Sequence, residues 1–147
     1  MSTTKRLVLH EVKRLSNVIH RNIISLETVN NSELTGRQFQ ILGFIRKNNS
    51  DGKDVYQKNI EEQFDIRPST VAVLIKSLVR NGYIIRESVD NDLRLKKLIP
   101  TQKAADLHCK IHPFMEEMED KVIQGLTNKE LNTFFIIIDK MIYNINQ

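Results

Sequence analysis

Residues 66–100 read IRPSTVAVLIKSLVRNGYIIRESVDNDLRLKKLIP, and the spacing of their apolar residues changes halfway along. Val71, Leu74, Ile75 and Leu78 recur at i, i+3, i+4 and i+7, which predicts a helix over residues 69–80 with one apolar face. Pro68 is tolerated in its first turn, where the missing N–H costs nothing, and Asn81-Gly82 offers the left-handed residue that ends it. From Tyr83 to Val89 the chain turns β-branched and aromatic, the composition of a strand. Asp90-Asn91-Asp92 is a turn cluster, and Leu95 to Ile99 can return as a second strand. A hairpin therefore follows the helix directly.

On the N-terminal side, Tyr56 to Phe64 reads as a short helix with Ile60 and Phe64 one turn apart, joined to the next by Asp65-Ile66-Arg67. Thr35-Gly36-Arg37-Gln38 has the form of a capping box. It opens a helix striped by Phe39, Leu42 and Ile45 that ends between Asn48 and Gly52. Residues 4–29 form a further helix, with Leu15, Val18, Ile19, Ile23 and Leu26 at helical spacing until Asn30-Asn31-Ser32 breaks it. On the C-terminal side, Thr101 caps a long helix running through Cys109, which Pro113 is expected to kink or split. Thr127-Asn128-Lys129-Glu130 is a second capping box. The last helix carries Leu131, Phe134, Phe135, Ile138, Met141, Ile142 and Ile145 along one side.

A chain of 147 residues suits one domain, and 27% charged with 40% hydrophobic residues is an ordinary globular balance. Its longest strongly apolar run, residues 134–138, is far short of a bilayer span. No signal-type apolar core follows Met1, and the single cysteine excludes an internal disulfide framework, so a cytoplasmic protein is expected. Catalysis has no foothold: there is no nucleophile–base arrangement and no phosphate-cradling glycine loop, with five glycines in all. No cofactor or metal motif is complete.

Charge is concentrated. Residues 67–103 hold eight basic residues (Arg67, Lys76, Arg80, Arg86, Arg94, Lys96, Lys97, Lys103) against three acidic ones, a net +5, while the rest of the chain carries −1. Short helix, tight turn, amphipathic helix and basic hairpin is the order of a winged helix-turn-helix. The apolar face of the second helix leaves Arg67, Ser69, Thr70, Val73, Lys76 and Ser77 outward, toward its N-terminal half. An α-helix fits the major groove of DNA and presents such residues to base edges. A basic hairpin suits the flanking minor groove, and a local positive zone suits a polyanion.

The sequence resembles the MarR-type regulators, dimeric winged-helix repressors and activators, over nearly its whole length. The likeness rests on Gln57-Lys58-Asn59-Ile60-Glu61, on Ile66-Arg67-Pro68-Ser69-Thr70-Val71, and on Leu78-Val79-Arg80-Asn81-Gly82-Tyr83-Ile84. Most specific is Asp92-Leu93-Arg94, followed by Leu98 and Thr101, which matches the family's Asp-x-Arg wing. By that resemblance Arg94 enters the minor groove and Asp92 orients it. Three positions depart from the family pattern. Tyr56 stands where a Thr or Ser N-cap is usual, leaving Asp54 as an alternative cap; Pro100 replaces a Leu, and Ala104 replaces a Gly. The resemblance further implies a homodimer, a palindromic operator, repression as the usual outcome, and a small, often phenolic or anionic effector.

Single-domain organisation is expected over residues 1–147, with a DNA-binding lobe at 34–100 and dimerisation helices at 4–29 and 101–147. The two terminal helices carry more apolar surface than a compact winged helix can cover, and pairing between subunits buries it. His108 and His112 lie one helical turn apart, the spacing of a metal-binding pair. Zinc-sensing members of the family also draw ligands from the start of the second helix, where Phe39 and Gln40 stand here, so a surface or pocket-lining pair is the reading adopted. Peroxide-sensing relatives carry their cysteine near the first helix, so Cys109 is read as an inert, partly buried thiol rather than a redox sensor. A winged helix used only for protein contacts is the competing class, with metal- or redox-responsive regulation through His108, His112 and Cys109 as a further alternative.

Overall fold

The computed structural model describes residues 6–26, 29 and 31–147; the expected helix start at Thr4 lies outside them, while the first helix, expected to run to residue 29, ends at Ile24 with Ser25 as its C-cap. Among the described residues, six helices and one hairpin follow in the order α1 (Val8–Ile24), α2 (Gly36–Ser50), α3 (Gln57–Phe64), α4 (Pro68–Arg80), β1 (Ile84–Val89), β2 (Asp92–Pro100), α5 (Gln102–Ile123) and α6 (Asn128–Ile145). The fold is mainly helical with a β-hairpin wing. Among the described residues no helix is long and apolar enough to cross a membrane.

The chain divides into two compact units, residues 1–111 and 112–147. Every buried apolar side chain belongs to the first. Ile41 and Ile45 of α2, Ile60 of α3, Val71, Ile75 and Leu78 of α4, Ile84, Leu98, and Ala104 and Ile111 of α5 form one core. Leu42 and Ile45 face it as the sequence pattern implies, but Phe39 is only half-buried and Ile41 is fully enclosed. The second unit, by contrast, buries no residue: Phe114, Phe134, Phe135, Ile136, Ile142 and Ile145 are all exposed. α1 buries none either.

Local chemistry explains the boundaries. Thr35 accepts the Gln38 N–H at 3.2 Å while the Gln38 carboxamide accepts the Thr35 N–H at 3.0 Å, and Thr127 with Glu130 repeats the arrangement. At α3 the N-cap is Tyr56, not Asp54, and the missing hydroxyl is replaced from inside the helix: Asn59 Oδ1 accepts the Tyr56 N–H at 2.8 Å. α4 ends on Asn81 and Gly82, whose φ of +77° lets the Tyr83 N–H reach the Leu78 carbonyl and the Gly82 N–H the Val79 carbonyl. Tyr83 is thus part of the helix cap, and β1 begins one residue later than its composition suggests.

Along α5 one expectation is narrowed and one corrected. The helix runs unbroken through Pro113, which withdraws a single backbone donor and does not split it. Cys109 is exposed, because the buried face of this helix is Ala104, Leu107 and Ile111.

Candidate nucleic-acid interface

The helix-turn-helix is held by backbone geometry as much as by its core. Asp65 closes α3 in the left-handed region at φ +50°, a conformation Asp tolerates better than most residues. Gln57 Nε2 donates to the Pro68 carbonyl at 3.2 Å, stitching the start of α3 to the first turn of α4. Phe64 and Phe44 of α2 meet edge to face with centroids 5.8 Å apart, and the Arg37 guanidinium lies over the Phe64 ring at 5.9 Å from its centroid. The Phe64 contacts seat α3 on α2, and the Gln57 bond ties α4 to α3.

α4 then shows two opposite faces. Val71, Ile75 and Leu78 are enclosed, while Arg67, Ser69, Thr70, Val73 and Lys76 are exposed and Ser77 is half-exposed. Val73 is 67% exposed, unusual for an aliphatic residue in the middle of a helix that buries its neighbours at i−2 and i+2. At 100° per residue, Ser69, Val73, Lys76 and Arg80 fall in one row diametrically opposite the core face. Arg80, counted in the basic zone but not placed on the outward face by sequence, joins this row; its place four after Lys76 and seven after Val73 was the available signal. No side chain caps α4: Pro68 brings no N–H to its first turn, and the Thr70 and Val71 N–H groups both bond the Arg67 carbonyl, at 3.0 and 3.1 Å.

The wing pairs Ile84 with Pro100, Arg86 with Leu98 and Ser88 with Lys96, then skips so that Val89 pairs with Asp92. β2 is therefore longer than the Leu95 to Ile99 stretch read from sequence, because the pairing reaches both the turn and Pro100. Leu98 donates its N–H to the Val55 carbonyl at 2.8 Å, tying the base of the wing to the segment before α3. At the tip, Asp92 Oδ1 accepts the backbone N–H of Arg94 at 2.8 Å. Among the described residues no ion pair involves Arg67, Lys76, Arg80 or Arg94.

A cavity of about 410 Å³ is lined by Asn31, Ser32, Tyr83, Lys103, Asp106, Leu107 and Lys110. The Tyr83 hydroxyl donates to the Ser32 carbonyl at 2.8 Å, and the Lys103 ammonium sits 4.5 Å from the Tyr83 ring centroid while donating to the Asn81 carbonyl. Burial pushes the Tyr83 phenol above its ordinary value, and the nearby Glu33 carboxylate adds to this.

His108 and His112 are both exposed, and His112 Nδ1 lies 3.7 Å from Glu116 Oε1. Among the described residues no cluster of three His, Cys, Asp or Glu side chains is placed to hold a metal ion.

Comparison with known proteins agrees with this architecture. Residues 32–95, the segment from before α2 to within β2, match the model of the MarR family. YybA, an uncharacterised HTH-type transcriptional regulator of Bacillus subtilis (strain 168), is 22% identical over 139 residues, covering 95% of this chain and 91% of that protein. Among solved structures, the transcription regulator MarR from Oenococcus oeni PSU-1 superposes with a TM-score of 0.70 at 26% identity, covering 93% of this chain and 99% of that one. MepR of S. aureus, solved as a complex with DNA, superposes with a TM-score of 0.78 at 20% identity over 95% and 99% of the two chains.

Proposed function

With residues 32–95 forming a winged helix of the MarR family, whose members are transcription regulators and not enzymes, we propose that this chain binds duplex DNA through α4 and the wing. The observation that carries the reading is the outward row of α4. The Ser69 hydroxyl, the aliphatic Val73 and the cations Lys76 and Arg80 lie opposite an enclosed core face, with the Thr70 hydroxyl exposed on its flank. Hydroxyls serve either base type, an aliphatic group suits the thymine methyl, and cations suit guanine or phosphate. Arg94, carried on a turn fixed by Asp92, reaches the adjacent minor groove. MepR, solved with DNA, shares the fold and supports the direction of this reading.

The regulator acts as a homodimer on a palindromic operator, and repression follows where that operator overlaps a promoter. The support is the unburied apolar surface of α1 and α6. Moving one Phe or Ile side chain out of water is worth roughly 1.5–3 kcal/mol, and α6 alone exposes Phe134, Phe135, Ile136, Ile137, Ile142 and Ile145. The effector site in this reading is the cavity beside Tyr83. Its two lysines suit an anionic or phenolic molecule, and Tyr83 caps α4 directly.

A titration of duplex DNA by fluorescence anisotropy at two salt concentrations tests the proposal. Binding that falls steeply with salt, with a log–log slope near −0.9 per phosphate neutralised, is expected. Affinity that is absent, or indifferent to salt, would favour the protein-contact alternative.

A further inference from the structure

The wing tip carries an apolar group that the reading above leaves unused. Leu93 is 82% exposed, the most of any large apolar side chain among the described residues. It stands between Asp92, whose carboxylate fixes the turn, and Arg94. The register skips at this point: Ser88 pairs with Lys96 and Val89 with Asp92, so residues 93–95 have no partner on β1. A bulge of this kind re-aims side chains at the end of a ribbon.

We propose that Leu93 is a specificity-determining residue, an apolar probe that enters the minor groove beside Arg94 and discriminates against G·C pairs beneath the wing. The inference rests on the duplex-binding reading above. In the minor groove an A·T pair shows only acceptors, adenine N3 and thymine O2, whereas G·C adds the guanine 2-amino donor. Arg94 supplies donors for the acceptors and has no acceptor to offer, and leucine has neither. Over A·T the pair Leu93–Arg94 therefore leaves the groove satisfied, with the leucine methyls against deoxyribose C–H groups. Over G·C the amino group projects into the space that Leu93 fills, and its donor is buried without a partner. Apolar side chains inserted in this groove are a recurrent device of proteins that read its width and composition.

The test uses a duplex enriched by the full-length protein from a random pool, with the pair under the wing located by footprinting. That pair is made A·T, G·C or inosine·cytosine, the last identical to G·C except for the missing amino group. The wild-type chain is expected to bind the G·C duplex about ten-fold more weakly than A·T, the scale of one unsatisfied buried donor, with inosine·cytosine restoring affinity. Leu93→Ala is expected to narrow the gap to about three-fold or less on the same basis, with an unchanged salt slope, because no phosphate contact is removed. Its thermal midpoint should match the wild type. Equal wild-type affinity for all three duplexes, or full discrimination retained by Leu93→Ala, would overturn the assignment while leaving DNA binding intact. Failure of the wild type to enrich any duplex would remove both.

Discussion

The Asp92 carboxylate holds the backbone N–H of Arg94 at 2.8 Å. The acidic residue of the wing thus grips the peptide two residues on, an Asx-type turn, and leaves the guanidinium uncommitted. Family likeness alone expects the aspartate to orient the arginine; the geometry supplies a route, through the main chain. A cation on a pre-formed turn loses less freedom on binding than one on a loose loop.

Arg94→Ala is accordingly expected to weaken duplex binding by about 1–3 kcal/mol, measured by electrophoretic mobility shift. Asp92→Asn keeps an oxygen acceptor for the same N–H and should bind close to wild type. A loss with Asp92→Asn as large as that of Arg94→Ala would place control in the carboxylate charge and not in the turn.

The two faces of α4 should separate stability from binding. Val73→Asp alters an exposed position, so its unfolding free energy should stay within about 0.5 kcal/mol of wild type while duplex affinity collapses. Leu78→Ala, on the enclosed face, should cost about 2–5 kcal/mol in urea unfolding. A Val73→Asp protein that binds normally would show that this row does not touch DNA.

Much of this was legible in the sequence because helix caps and apolar spacing are local. Thr35 with Gln38, Thr127 with Glu130, and Asn81-Gly82 all marked true ends, and the face of α4 followed from three buried positions. What periodicity does not report is the width of the covered face and what lies opposite it. Ile41 was missed because the enclosed stripe of α2 runs through Gln38, Ile41, Leu42 and Ile45, and a polar residue at its start shifted the apparent stripe onto Phe39. Cys109 was misplaced because composition says a cysteine is often buried, whereas register along α5 says which residue faces the core. Gln57 gains meaning only when the turn through Asp65 brings α3 and α4 together.

The terminal helices should make the protein a dimer. Light scattering at micromolar concentration is expected to give twice the chain mass, and Phe135→Glu on the exposed face of α6 should shift it toward the monomer and weaken operator binding with it. A wild-type monomer that still binds DNA would remove the two-fold account.

Tyr83 should leave a signature at high pH. Its phenol is held above the ordinary value of about 10 by burial first. The unfolded chain therefore ionises first. The contribution of Tyr83 to stability is whole below the ordinary phenol range and is lost as pH climbs through it toward the raised folded value. Tyr83→Phe should cost about 1 kcal/mol near neutral pH, for the hydrogen bond to Ser32, and should flatten that alkaline loss. Urea unfolding of both proteins across the range decides it, and parallel curves would contradict the burial of this hydroxyl.

The central claim, that α4 and the wing grip duplex DNA, is tested most directly by hydroxyl-radical footprinting of the full-length protein on a duplex it has enriched. Two protected patches related by two-fold symmetry, spaced by about one helical turn and erased by Val73→Asp, are the predicted result. No protection, or protection unchanged by Val73→Asp, would contradict it.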